Sequence, residues 1–355
     1  MKKKVLALAV FAMCGLIVTG CGDKAKNNDN KQNTTTNTTN ETKKDKVTIK
    51  SYNGEGKEVD LEVPYDAKKI AILDLPALDI LDELGLGDRV VGTADTKIDY
   101  LVKYPKNEKL AKLGTIKEPD MEALMASEPD VIFIGGRLAK KYDELSKIAP
   151  VVYLKVDNNI GLVESISKNA KIIGSMFGVE DKVDGLLKGF DARISKLKEA
   201  AKGKTAIVGL TTSGSFNILG NDGRCSIIGK EIGFENIGIE AAEAKAKEKK
   251  EGKKEGKKEE KKEGATATHG NEASFEYIVN KNPEYLFVMD RDAAINAQGA
   301  KLAKEIVENE LVQKTEAFKN GNIVYLAHPS VWYTAEGGIK ALDIMLNDIE
   351  TALLK

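Results

Sequence analysis

One pattern occurs twice in this chain at the same spacing. Met121-Glu122-Ala123-Leu124 leads through Pro129-Asp130-Val131-Ile132-Phe133 to Arg137, and Phe275-Glu276-Tyr277-Ile278 leads through Pro283-Glu284-Tyr285-Leu286-Phe287 to Arg291. In both copies the Glu stands seven residues before the Pro and fifteen before the Arg. Each copy reads as a helix carrying the Glu, a turn marked by Pro, a buried strand, and an Arg at that strand's C-terminal end. An internal repeat of this kind implies two pseudo-equivalent lobes. Ligands of open α/β sheets bind outside the C-terminal strand ends, so Arg137 and Arg291 are expected to face a common cleft.

The rest of the folded part alternates short apolar strands with amphipathic helices, the mark of an α/β fold with mostly parallel sheets. A β-hairpin is expected first, Val47–Ser51 and Val59–Val63 joined through Asn53-Gly54. Strands follow at Ile70–Leu73, Val90–Gly92, Val131–Ile134 and Val151–Leu154, with helices at Ala77–Leu84, Met121–Ser127 and Ala139–Ile148. A helix over Leu162–Phe177 precedes a second, Glu180–Ala201, whose apolar stripe runs from Val183 to Leu197. Strand–helix alternation resumes at Ala206–Leu210, so the second helix is expected to join the lobes. The fold expected is two Rossmann-like lobes linked by a long helix, residues 47–177, 178–202 and 203–355, with the ligand cleft between the lobes.

The N-terminus sets the compartment. Lys2, Lys3 and Lys4 precede an apolar run, Val5 to Val18, too short for a comfortable membrane span but right for a signal peptide. Val18-Thr19-Gly20-Cys21 ends it, the kind of site at which bacterial lipoproteins are cleaved and their cysteine acylated. Residues 1–20 are thus expected to be removed and Cys21 to carry the lipid, and two or more acyl chains anchor a protein stably. Residues 21–46, almost all Asn, Thr, Lys, Asp, Glu and Gln, cannot build a core and are expected to form a flexible tether.

Charge gives no sign of nucleic-acid binding: the formal net charge is −1, or about −4 once Lys2, Lys3 and Lys4 leave with the leader. With Cys14 in the leader and Cys21 lipidated, Cys225 is alone and no intrachain disulfide can form. Lys245–Glu263 holds ten Lys, six Glu, Gly252 and Gly256 and almost nothing apolar, and is read as a low-complexity insertion in a loop of the second lobe.

Three arginines stand near strand ends or Gly-containing turns: Gly135-Gly136-Arg137, Asp222-Gly223-Arg224 and Met289-Asp290-Arg291. Guanidinium groups keep their charge when partly desolvated and offer forked donors to anionic oxygens, so three in one cleft suit a strongly anionic ligand. His269, in Ala267-Thr268-His269-Gly270-Asn271, and Tyr333, after the strand Ile323–Leu326, could fill two positions on a hard ferric ion; Tyr333 could equally pack with Trp332. Gly-x-Ser-x-Gly, His-Glu-x-x-His and phosphate-binding Gly-rich loops with Lys are absent. Cys225 lacks a resolving partner and reads as a structural thiol.

These residues resemble a family. Gly135-Gly136-Arg137-Leu138-Ala139-Lys140-Lys141-Tyr142, His269-Gly270-Asn271 leading into Ser274-Phe275-Glu276, Val288-Met289-Asp290-Arg291, and Trp332-Tyr333 before Gly337-Gly338 are similar to the helix-linked substrate-binding proteins of ABC importers. The branch is that of ferric siderophores and vitamin B12, and within it the lipoproteins for catecholate siderophores of enterobactin and petrobactin type. The resemblance covers about Val47 to Lys355 apart from the charged insertion. It implies that Arg137, Arg224 and Arg291 hold an anionic ferric complex, that His269 and Tyr333 complete iron coordination when the siderophore supplies only four donors, and that Glu122 and Glu276 dock onto arginines of the permease. The insertion just before His269 departs from the family pattern and bears on how that histidine is presented.

The expectation is a lipid-anchored, monomeric, extracytoplasmic binding protein, not an enzyme. It carries no permanent cofactor, takes ferric siderophore as ligand and an ABC permease as partner, and binds no nucleic acid. The alternatives are a vitamin B12 or haem binder of the same fold, an exported enzyme or redox protein using Cys225, and a cell-surface interaction protein using the insertion.

Overall fold

The computed structural model describes residues 45–244, 271–272 and 275–354. Cys21 with its leader and most of the tether, the segment Lys245–Glu263, and His269 lie outside the described residues.

The chain opens with the hairpin β1 (Lys46–Tyr52) and β2 (Glu58–Pro64), antiparallel from Lys46 opposite Pro64 to Tyr52 opposite Glu58. Its five-residue loop is organised by the Asn53 side chain, which accepts the amides of Glu55 at 3.1 Å and Lys57 at 3.0 Å. The first sheet contains β3 (Ile70–Leu73), β4 (Val90–Thr93), β5 (Ala111–Lys112), β6 (Val131–Ile134) and β7 (Val151–Tyr153) in the order β5-β4-β3-β6-β7, all parallel. The second contains β8 (Thr205–Thr212), β9 (Ser215–Ile218), β10 (Glu235–Asn236), β11 (Asn271–Glu272), β12 (Tyr285–Asp290) and β13 (Ile323–Tyr325). Its order is β11-β9-β8-β12-β13, with β10 also on β8; the β8-β12-β13 centre is parallel and β9 and β11 are antiparallel.

Continuous apolar strands bury both faces, as parallel sheets require. Ile70, Ile72, Val131 and Phe133 face one cluster while Ala71, Leu73, Ile132 and Ile134 face another. Phe287 and Met289 of β12 join the same cluster as Ile72 and Phe133, whereas Leu286 and Val288 face a third. The central cluster is thus shared between the two sheets.

Helices α2 (Met121–Ala126) and α6 (Phe275–Lys281) bury Leu124 and Ile278 in the two outer clusters, and the central layer is filled by α1 (Leu75–Glu83), α3 (Leu162–Phe177), α4 (Glu180–Leu187), α5 (Phe190–Ala201) and α7 (Ile339–Leu353). The last buries Ile339, Leu342, Met345, Leu346 and Ile349 along one face and packs against α1 and α5.

The single helix expected over Glu180–Ala201 is two. Lys188 is extended and Gly189, at φ 98°, takes a conformation that side-chain-bearing residues avoid. The break lets α5 turn onto α7, where Arg193 pairs with Asp343 and Glu350 at 2.7 Å each. The helix expected over Ala139–Ile148 is a 3₁₀ segment, Gly136–Lys141, followed by one α turn, Tyr142–Leu145. Neither segment has a side-chain N-cap, and Gly135-Gly136 offers no start signal. Among the described residues, no helix is long and apolar enough to cross a membrane.

Candidate functional site

The two copies of the repeated unit fold as read. Asp120 caps α2 by accepting the Ala123 amide at 2.9 Å, placing Glu122 in the first turn, exposed. Glu276 holds the matching place in the first turn of α6 and is also exposed. The strands that follow, β6 and β12, each lie inside their sheet, next to an edge strand, and each hands the chain to its arginine beyond the C-terminal end.

Both arginines reach one residue. Tyr333 lies in a single π-helical turn, Val331–Ala335, a distortion frequent at functional sites, and is 5% exposed. Arg137 donates Nη2–H to the Tyr333 carbonyl at 3.2 Å. Arg291 donates Nε–H to the Tyr333 hydroxyl at 3.1 Å. Arg224, from a turn of the second half, donates Nε–H to the Tyr333 carbonyl at 3.2 Å and lies 4.2 Å from its ring centroid. Arg137 and Arg291 each stand 5.7 Å from the same centroid. Three guanidinium groups therefore surround one phenol, contributed by both sheets.

The arginines differ in what else they hold. Arg291 is tied within its own half, to Thr212 Oγ1 at 3.0 Å and Asp292 Oδ1 at 3.2 Å. Arg137 and Arg224 line a cavity of about 270 Å³ together with Asp74, Lys155, Tyr333 and Glu336. Burial, and then the neighbouring Arg224 charge, hold the Arg137 guanidinium below its usual range. Arg224 Nη1 is buried without a hydrogen-bond partner among the described residues. A buried, unpaired cationic donor is costly to leave unmade, and two close guanidinium groups repel. An anion between them removes both penalties.

Two cavity carboxyl groups were not singled out from the sequence. Burial pushes Asp74 up to about 6, against the Ala77 amide it accepts and the nearby Arg137. Burial likewise pushes Glu336 up to about 7, against the pull of Arg224 and the Cys225 amide. Asp74 and Lys155 follow β3 and β7 just as Arg137 follows β6, so the strand-end rule applied to every strand of the first sheet would have found them. Glu336 lies in no strand-end position and carries no such signal.

The remaining residues fall as follows. Cys225 is buried and its thiol is pushed well up by burial, which makes it unreactive. Trp332, the only tryptophan of the chain, is fully buried beside Tyr333 and donates its indole N–H to Asp348 at 2.8 Å. The fifth expected site residue, His269, lies outside the described residues.

The family model for periplasmic binding proteins matches residues 70–329. The petrobactin-binding protein YclQ of Bacillus subtilis is 32% identical over 359 residues, covering 99% of this chain and all of that one. The ferric-anguibactin-binding protein FatB of Vibrio anguillarum is 26% identical and covers 98% of each chain. Superposed on the crystal structure of YclQ, the fold gives a TM-score of 0.73 over 87% of this chain and 99% of that one. The catecholate-siderophore binding protein VctP of Vibrio cholerae gives 0.70 at 28% identity, over 86% of this chain and all of that one. With two parallel-centred sheets, a cleft at their strand ends and these relatives, the chain belongs to the periplasmic binding protein family.

Proposed function

We propose that this protein captures a ferric siderophore outside the cytoplasm and delivers it to the permease of an ABC importer, with a catecholate complex as its ligand. The observation that carries the reading is the cationic ring around Tyr333, in which Arg224 Nη1 is unpaired among the described residues. Relatives named for petrobactin, ferric anguibactin and catecholate siderophores support it. A family of binding proteins makes and breaks no covalent bonds in its ligand, so the protein is not an enzyme.

Recognition follows from charge and shape. A ferric tris-catecholate carries about three negative charges, and charge-assisted hydrogen bonds contribute roughly 1.5–3 kcal/mol each. Arg137 and Arg224 meet the catecholate oxygens, and Arg291 supplies the third charge while steadying the Tyr333 hydroxyl. The cavity, about 270 Å³, falls just below the roughly 300–1,000 Å³ usual for ligand pockets. It therefore takes the compact chelate and leaves the rest of the ligand at the rim. For a siderophore with four donor atoms, Tyr333 and His269 complete the iron sphere. Cys21 anchors the protein in the membrane through lipid, the protein works as a monomer, and Glu122 and Glu276 meet the permease.

The test is a titration followed by Trp332 fluorescence, with ferric siderophores of the catecholate, hydroxamate and citrate types, cobalamin and haem. The reading expects the ferric catecholates to bind tightest. Preference for cobalamin or haem overturns it.

A further inference from the structure

We propose that Glu336 is the positioning residue for Arg224 and that its negative charge opposes anionic ligands, so that neutralising it tunes the cleft toward them; this rests on the reading above that the ligand is an anionic chelate.

The geometry begins with an awkward turn. The backbone is left-handed on both sides of Arg224, at φ 105° for Gly223 and φ 60° for Cys225. Glycine takes that conformation freely, but Cys225 has a Cβ and lacks the amide or carboxylate side chain that eases it in Asn or Asp. The turn must be held from outside. Glu336 Oε1 accepts the Cys225 amide at 3.0 Å. Held so, Arg224 spends Nε–H on the Tyr333 carbonyl and leaves Nη1 without a partner among the described residues.

The charge of Glu336 acts separately from its hydrogen bond. Arg224, the Cys225 thiol and Glu231 face it from its own half, and Asp74, Arg137 and Lys155 stand at the same cavity from the other. An ionised Glu336 competes with the ligand for Arg224. A neutral one does not, and its carbonyl oxygen still accepts the Cys225 amide. Burial already pushes the group up to about 7. An arriving anion favours the protonated form further, so binding draws a proton from solvent. Affinity is therefore highest below that point and falls as pH rises through it.

Two substitutions separate the roles. Glu336→Gln keeps an acceptor and the volume without the charge; Glu336→Ala removes both. With ferric petrobactin as the probe, the Ala variant is expected to bind at least about tenfold more weakly than the Gln variant at every pH. The Gln variant should match wild type near about pH 5.5 and bind roughly three- to tenfold more tightly near about pH 8. Equal losses in both variants would overturn the positioning role, and a wild-type-to-Gln ratio flat with pH would overturn the charge role. A ligand-free comparison stands beside this. Wild-type thermal stability should fall relative to the Gln variant between about pH 5 and 8, and a constant difference would overturn the charge role independently. Should Glu336→Ala not fold, Glu336→Asp, one methylene too short for the Cys225 amide, takes its place. If ferric petrobactin does not bind wild type, its assignment as ligand fails, while the ligand-free comparison still decides the inference.

Discussion

The Asp79 carboxylate, on α1 beside the first sheet, accepts the Lys340 amide at 2.9 Å in the first turn of α7, the closing helix of the chain. It also accepts the Ala341 amide at 2.9 Å and the Tyr100 hydroxyl at 2.6 Å. A second contact runs the other way: Glu231, in the second half, accepts the Leu162 amide at 2.5 Å at the start of α3. Each half thus caps a long helix packed against the other, and the two share one apolar cluster. Such a base favours small rearrangements on ligand binding over wide hinge opening.

Asp79→Ala leaves two backbone amides and a hydroxyl without their acceptor in a buried place. The expected cost is about 2–4 kcal/mol in urea unfolding. A loss below about 1 kcal/mol would show that the cap contributes little to holding the halves together.

Stability should depend on pH with an unusual sign. Burial pushes Asp74 and Asp79 up to about 6 and Glu336 up to about 7 in the folded protein. The native state therefore binds more protons than the unfolded chain between the ordinary carboxyl range and those values. Stability from these groups is full below about pH 4 and lost as pH rises to about 7, on the order of 1–3 kcal/mol per group. Calorimetry across this range should show the unfolding temperature falling, and Asp79→Asn should remove part of the slope. A rising curve would contradict the assignment.

Glu122→Ala and Glu276→Ala should each impair uptake of iron–siderophore by cells while leaving ligand affinity of the purified protein unchanged. Both side chains are exposed on the first turns of α2 and α6 and line no part of the cavity. If either change weakens ligand binding as much as transport, that residue serves the cleft or the fold.

Cys21→Ser should release the protein from the membrane fraction into the soluble one. Equal retention of the substituted protein would refute lipid anchoring.

Much of this was legible in the sequence because it rests on local patterns. The buried strands Ile70–Leu73 and Val131–Ile134 are short apolar runs, and the spacing from Glu122 to Arg137 repeats from Glu276 to Arg291. The convergence on Tyr333 was only partly legible: strand ends bring Arg137 and Arg291 to the cleft, but nothing local says that they meet the same phenol. Arg224 depends on a left-handed turn that only Gly223 hints at. Glu336 and Asp79 act through contacts more than a hundred residues away in sequence. The break at Gly189 was visible as a glycine, yet the apolar stripe around it continues at helical spacing and masked it. The short strands β5, β10 and β11, two residues each, carry too little pattern to be seen.

The cationic ring around Tyr333 is the centre of the account, and titration of single-site variants with two ferric ligands tests it most directly. With a hexadentate ferric tris-catecholate, Arg137→Ala, Arg224→Ala and Arg291→Ala should each weaken binding roughly ten- to a hundredfold, matching about 1.5–3 kcal/mol per contact. His269→Ala and Tyr333→Phe should matter little there, because the ligand fills the iron sphere. With a tetradentate catecholate, His269→Ala and Tyr333→Phe should become the severe changes, and Tyr333→Phe should bleach part of the phenolate-to-iron absorbance. Arginine variants that bind both ligands as wild type does would contradict the account.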